Sequence, residues 1–324
     1  MSVAQEPAIR ATRVYKDFGA VQAVRGVDLT VAQGELFGFL GPNGAGKSTT
    51  ISMLCTLARP TSGRIRVAGY DTVLSPHQVR RRLGLVFQES TLDEELTARE
   101  NLRFHADLYA MPRAALAARI AEMLAVVGLT ERADSLVRTF SGGMRRRLEI
   151  ARGLLHRPSV LFLDEPTLGL DPSARAELWE YLLGVRERES TTVFLTTHYL
   201  DEADRCDRIA IIDEGRIVVE GTPEGLKSVL GADRITLRTG DDETAAVRLR
   251  ERFGLHATTG ESGLQVQVED GARAVPQLCA GIDVPVYEVA VTRPRLDDVY
   301  QHYTGRGIGE AGESDAVLTG AGDR

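Results

Sequence analysis

The residues Gly41, Pro42, Asn43, Gly44, Ala45, Gly46, Lys47 and Ser48 fit the spacing G-x-x-x-x-G-K-[ST]. That spacing suits phosphate. Gly41, Gly44 and Gly46 let the backbone curl until consecutive N–H groups face one centre. The apolar run before the loop, Glu35 to Leu40, reads as a buried strand. Ser48 to Cys55 has helical spacing, so a helix N-terminus adds its positive end. Lys47 is placed to reach the β- and γ-phosphates of a nucleotide, Ser48 to ligate Mg²⁺, and Thr49 to add a hydroxyl on the α-phosphate side. A glycine-rich turn that merely capped a helix would not need strand, lysine, serine and helix together. The motif points to nucleotide binding without saying what hydrolysis drives.

A second group of candidates lies downstream. VLFLDEP, Val160 to Pro166, is an apolar strand ending in two carboxylates. Ligands sit at the carboxyl ends of parallel strands, which puts Asp164 beside the phosphate loop, suited to Mg²⁺. Glu165, one residue on, can polarise an attacking water. TVFLTTH repeats the pattern and ends in His198, where an imidazole could reach a γ-phosphate. Gln88 follows the strand LGLVF in the same way, and its amide can contact Mg²⁺ or water.

These positions require a sheet whose strand ends converge. Two strands around a turn at Phe18-Gly19 are expected between Ala8 and Val31, then strands at Glu35 to Leu40, Arg64 to Ala68 and Leu83 to Phe87. From about Thr91 to Phe140 the texture is helical, with Gly128 a plausible stop. Strand–helix alternation resumes at Val160 to Leu163, Ser173 to Arg188, Thr192 to Thr196 and Ile209 to Asp213. The expectation is an α/β fold: a mostly parallel sheet core, N-terminal antiparallel strands and an inserted helical subdomain at about 91–140. Residues 1–230 form this first domain. Residues 231–305 read as a small C-terminal α+β domain, strand–helix–strand–helix–strand–helix, and 306–324 as a disordered tail.

Bulk composition excludes several classes. A net charge of −7 argues against a broad nucleic-acid interface, which needs a basic face. The three cysteines, Cys55, Cys206 and Cys279, have no metal-ligand spacing and read as reduced thiols. No run approaches the ~18–20 apolar residues of a membrane span, and no leader is visible. A cytoplasmic chain is expected, with any membrane spans supplied by another polypeptide. Of 39 cationic Lys and Arg side chains only Lys16, Lys47 and Lys227 are lysines, which looks like the imprint of a GC-rich bacterial genome.

Phe140 to Pro172, FSGGMRRRLEIARGLLHRPSVLFLDEPTLGLDP, resembles the signature-to-D-loop segment of ATP-binding cassette (ABC) ATPases. The order of phosphate loop, Gln88, SGG, LDEP, GLD and His198 also resembles that family, over roughly Ala8 to Leu230. The resemblance implies a P-loop NTPase cassette that binds and hydrolyses ATP with Mg²⁺. It implies that Phe18 stacks on adenine, with Tyr15 the weaker candidate. Gln88 would sense the γ-phosphate, and Ser141, Gly142 and Gly143 would bind ATP held by an opposite subunit. Asp171 would be the D-loop aspartate, Glu165 the catalytic glutamate, and His198 the switch histidine. Phe140 and Met144 replace the commoner Leu and Gln around SGG, and SGGM followed by arginines looks like the drug- and antibiotic-exporter branch.

The ending TRPRLDDVYQHYTGR is similar to that of daunorubicin-resistance-type ATP-binding subunits. Leu296, Val299, Tyr300 and Tyr303 also read simply as the packing face of an amphipathic helix. The reading is therefore the ATPase subunit of an exporter on the cytoplasmic side of a membrane, reaching the membrane only through a separate permease. A second copy would pair with it head-to-tail. Two alternatives stand beside it: a non-transport ATPase acting on ribosome or DNA, and an ATP-regulated ligand-sensing module.

Overall fold

The computed structural model describes residues 6–231, 233–260 and 263–307. The chain divides into two compact units, the first running to Gly221 and the second covering Thr222–Gly307. The expected tail lies, from residue 308 on, outside the described residues.

In the first unit β1 (Ile9–Phe18) and β2 (Val21–Val31) form an antiparallel hairpin, and β3 (Leu36–Leu40) leads into the glycine-rich loop. There follow α1 (Lys47–Leu54), β4 (Ser62–Val67), β5 (Tyr70–Asp71), α2 (Pro76–Arg80) and β6 (Leu83–Val86). The helical insert is α3 (Ala98–Leu108), α4 (Arg113–Val126) and two 3₁₀ turns at Thr130–Arg132 and Val137–Thr139. The core then resumes with α5 (Gly142–Leu154), β7 (Val160–Asp164), α6 (Pro172–Glu189) and β8 (Thr192–Thr197). It ends with α7 (Leu200–Ala203), β9 (Arg208–Asp213) and β10 (Arg216–Gly221).

Among the described residues these strands make two sheets. One is antiparallel, in the order β2-β1-β4-β5. The other runs β10-β9-β3-β8-β7-β6 and is parallel except for β10. Strands β3, β7 and β8 are buried along their whole length, as expected for a parallel sheet covered on both faces. Phe37, Phe39 and Phe162 each lie 5.6 Å, centroid to centroid, from Phe194 at the middle of this sheet. The parallel register fixes where the strands end, and the site stands at those ends.

Arg119 on α4 ties the helical insert to this core. Its buried guanidinium donates to the carbonyls of Leu154 (2.8 Å) and Leu155 (3.1 Å) at the end of α5. It also meets Glu189 at the end of α6, at 2.6 Å. Removing it takes this donor from Leu155 O and from the half-buried Glu189 carboxylate, while Leu154 O keeps the N–H of Arg157 at 3.0 Å. Arg119→Met should therefore cost about 2–3 kcal/mol of stability, less than for a fully buried pair because Glu189 keeps some solvent. Urea denaturation measures this; a change below about 0.5 kcal/mol, the scale of surface substitutions, would remove the clamp from the account.

The second unit begins with α8 (Pro223–Val229), which the sequence reading leaves in the first domain. Then come β11 (Asp233–Thr239), α9 (Asp242–Phe253), β12 (Ala257–Gly260), β13 (Gly263–Val268), α10 (Gly271–Gly281), β14 (Val286–Thr292) and α11 (Leu296–Thr304). The antiparallel sheet runs β12-β13-β11-β14, a βαββαβ arrangement. Strand β12 escapes the sequence reading because ATTG is four residues at a sheet edge with no buried position. Leu296, Val299 and Tyr300 are buried as the amphipathic pattern predicts, whereas Tyr303 is 39% exposed. No helix among the described residues is long and apolar enough to cross a membrane.

Candidate active site

The loop after β3 is held tightly. Gly41 N–H donates to Thr197 O at 3.3 Å, tying the loop to the end of β8. A Cβ on Gly41 would stand 2.4 Å from Ile212 O, and one on Gly46 2.5 Å from Ala23 O. Gly46 also has φ +102°, the left-handed region that favours glycine. These two glycines are demanded by crowding as well as by the curl of the backbone.

Lys47 begins α1 and is buried, with its ammonium turned back into the loop. Nζ donates to Gly41 O (2.8 Å) and Pro42 O (3.0 Å) and lies 3.3 Å from Glu165 Oε1. Burial pulls the lysine below its ordinary pKa, partly opposed by Glu165 and Asp164. On the other side of the carboxylate, His198 Nδ1 lies 3.3 Å from Glu165 Oε2, within electrostatic reach but not aligned as a hydrogen bond. Burial pushes the Glu165 carboxyl up, yet His198 and Lys47 outweigh it and hold the group below its ordinary value. Glu165 is thus an ionised base between two nitrogen groups. Its backbone is in the left-handed region, φ 44°, uncommon for a residue with a side chain.

Asp164 ends β7 opposite Thr196 of β8 in the parallel register. Thr196 Oγ1 donates to Asp164 Oδ1 at 2.5 Å and accepts the N–H of Glu165 at 3.0 Å. Sequence reading passed over Thr196; only the register shows that it orients both acidic residues. Ser48 Oγ donates to Asp164 Oδ1 at 3.4 Å.

One cavity of about 440 Å³ gathers the centre. Pro42, Asn43, Gly44, Gly46, Lys47, Ser48, Thr49, Gln88, Glu165 and His198 line it, with Ala23 and Leu168, which the sequence did not flag. Its size suits a small-molecule ligand. Gly41, Ala45 and Asp164 stand behind this lining. Five expected residues lie outside it. Phe18 is 55% exposed, with Lys16 Nζ 4.7 Å from its ring centre. Ser141 N-caps α5, accepting from Met144 N at 3.3 Å, and Gly142 and Gly143 form the first turn. Asp171 N-caps α6, accepting from Ser173 N (2.9 Å) and Ala174 N (3.0 Å).

The Ser48 hydroxyl at the end of the phosphate loop, the Asp164 carboxylate it meets from the end of β7, and the Gln88 amide on the cavity form the hard oxygen donor set that suits Mg²⁺ held mostly by substrate phosphates. Clusters of three or more His, Cys, Asp or Glu able to hold a metal alone are absent among the described residues.

Fold and site together define a P-loop ATPase cassette. The family model described as ABC transporter matches residues 24–168. A daunorubicin resistance ATP-binding protein of Streptomyces coeruleorubidus is 42% identical over 306 residues, 93% of this chain and 96% of the relative. A Nod factor export ATP-binding protein of Paraburkholderia xenovorans is 43% identical over 304 residues, 93% and 98% of the two chains. A solved dimeric ATP-binding cassette in a post-hydrolysis state with ADP and Pi superposes with a TM-score of 0.60. It is 29% identical, and the match covers 66% of this chain and 98% of that one. The chain belongs to the ABC transporter family, as an ATP-binding, ATP-hydrolysing subunit.

Proposed function

We propose that this subunit energises export of a hydrophobic drug or antibiotic through a separate transmembrane permease, on the cytoplasmic side of the membrane. Similarity to a resistance protein supports the cargo class. A Nod factor export relative is equally similar, so the cargo is read as a class of compound. Phe104 (61% exposed) and Leu108 (68% exposed), four residues apart on α3, favour a partner on the surface near Gln88 and Ser90 to Leu102.

In this reading Lys47 and the loop N–H groups bind the β- and γ-phosphates, and Thr49 reaches the α-phosphate side. Phe18 stacks on the adenine. Ser48, Asp164 and Gln88 would hold Mg²⁺, which supplies charge neutralisation between the β- and γ-phosphates. Glu165, ionised and fixed by Thr196, takes a proton from the attacking water, and His198 orients that geometry.

The observation that carries the dimer is the split between the cavity and the rest. Ser141, Gly142, Gly143 and Asp171 do not line the cavity that holds Lys47 and Glu165. A second copy, turned head-to-tail, would bring its own Ser141, Gly142 and Gly143 over the phosphates, a helix N-terminus facing an anion. Mixing tests this. Lys47→Ala and Ser141→Arg proteins should each be inactive alone. An equimolar mixture of the two should regain about a quarter of wild-type turnover, because half the random pairs hold one intact composite site of two. A mixture that stays inactive although mixed pairs form would overturn the head-to-tail site.

A further inference from the structure

The three arginines after SGG look interchangeable in sequence, but the structure separates them. Arg146 is buried, while Arg145 meets Glu94 at 2.9 Å and Arg147 donates to the Tyr181 hydroxyl at 3.1 Å. From α5, Arg146 reaches the end of β7. Its Nε donates to Pro166 O at 2.6 Å, and its Nη2 to Asp164 O (3.0 Å) and Glu165 O (3.2 Å). Its Nη1 donates to Phe87 O, the carbonyl just before Gln88, and to Glu149 Oε2 at 3.0 Å.

Glu149, one helical turn on, completes the arrangement. Its Oε1 accepts the N–H of Thr91 at 2.9 Å, and Arg152 donates to Thr91 O at 2.8 Å. One face of α5 therefore grips both ends of the Gln88 segment, before it at Phe87 and after it at Thr91. The same guanidinium holds three consecutive carbonyls of the segment that carries Glu165 in its left-handed conformation. A planar fork of five donors is suited to spanning several carbonyls; an ammonium is not.

We propose that Arg146, paired with Glu149, is a positioning residue for catalysis: it keeps Gln88 and Glu165 in fixed register with the helix that begins at Ser141. The proposal rests on the reading of Glu165 as the catalytic base and adds the device that couples it to the helix of the SGG motif. Movement of α5 when a second copy closes on Ser141 would reach both cavity residues through one side chain. Arg146 does not touch the cavity, so nucleotide binding by the phosphate loop should be spared.

The test is a double variant, Arg146→Met with Glu149→Gln. It removes both buried charges together and leaves an amide oxygen for Thr91 N–H. Turnover of ATP should fall about 30- to 100-fold, the cost of misplacing a reacting group by around an ångström. Binding of a fluorescent ATP analogue should stay within about threefold, since the loop's own donors are intact. Arg146→Lys keeps the charge opposite Glu149 and should still lose about tenfold in turnover, because an ammonium cannot span the four carbonyls. Amide exchange at 87–91 should quicken in both proteins. Wild-type turnover in Arg146→Lys, or in the folded double variant, would overturn the proposal. So would analogue binding that falls in parallel with turnover. Glu165→Gln assayed alongside separates the two ideas. If it hydrolyses ATP normally, the base assignment fails. If it is inactive while the Arg146 variants are normal, only the coupling fails.

Discussion

Glu165→Gln lowers ATP turnover by about 10²- to 10⁴-fold, the range for loss of a general base, and leaves ATP bound. The argument is electrostatic as well as positional. The carboxylate sits between Lys47 Nζ and His198 Nδ1, each 3.3 Å away, and both hold it ionised against its burial. The amide is nearly isosteric, keeps the Thr196 contact made by the backbone N–H, and cannot take a proton. It also frees Lys47 from a competing negative charge, so affinity for the triphosphate should rise or stay level. Single-turnover hydrolysis and analogue binding measure the two halves; turnover within tenfold of wild type would show that another group takes the proton. The sign of the pH effect follows. A depressed carboxyl gives stability that is present above its unfolded pKa and lost as pH falls through the folded one. In the nucleotide-free protein that loss belongs below the ordinary glutamate value of 4.5. Glu165→Gln should remove this part of the acid destabilisation.

Most of the candidate site is legible in sequence because its parts are local. A strand, a glycine loop and a helix lie within twenty residues of one another, and β7 and β8 announce their ends by the switch from apolar to polar at Asp164 and at Thr196, two residues before His198. What sequence could not show was set by register and rotation. Thr196 matters because β8 lies beside β7 with Thr196 opposite Asp164, a pairing of residues 32 positions apart in the chain. Arg146 matters because of its turn around α5; its neighbours, of the same type, face elsewhere. Phe18, Ser141, Gly142, Gly143 and Asp171 rest on resemblance alone, and within one chain they lie outside the cavity.

The second unit shows the same limit from the other side. Strands β11 and β13 follow the alternation of buried positions, whereas β14 has no fully buried residue, and Leu237, Leu249, Leu264 and Leu278 form the core. The short β12 leaves no such trace. Tyr303 continues the helical pattern of Leu296, Val299 and Tyr300 yet stays exposed. Periodicity identifies a face; it does not say how far along the helix that face is covered.

Lys47→Arg should abolish hydrolysis although the charge is preserved. The ammonium is buried, and it occupies a narrow place, 2.8 Å from Gly41 O and 3.0 Å from Pro42 O, with Glu165 at 3.3 Å. The loop cannot widen to suit a broader head. Gly41 is pressed against Ile212 O and Gly46 against Ala23 O so closely that neither tolerates even a Cβ. A guanidinium is planar and wide, and its fixed fork would leave donors without acceptors in a space shaped for a compact, rotatable one. Overpacking a tight site costs about 1–3 kcal/mol, which the fold should survive. Loss of a correctly placed donor to the phosphates should cost about 10²- to 10³-fold in turnover, as for other preorganised charge contacts. This also accounts for a lysine at position 47 in a chain that otherwise writes nearly every cation as arginine. The measurement is turnover together with analogue affinity and thermal midpoint. A folded Lys47→Arg protein that hydrolyses ATP at the wild-type rate would show that the loop reads charge alone, and the steric argument would fall with it.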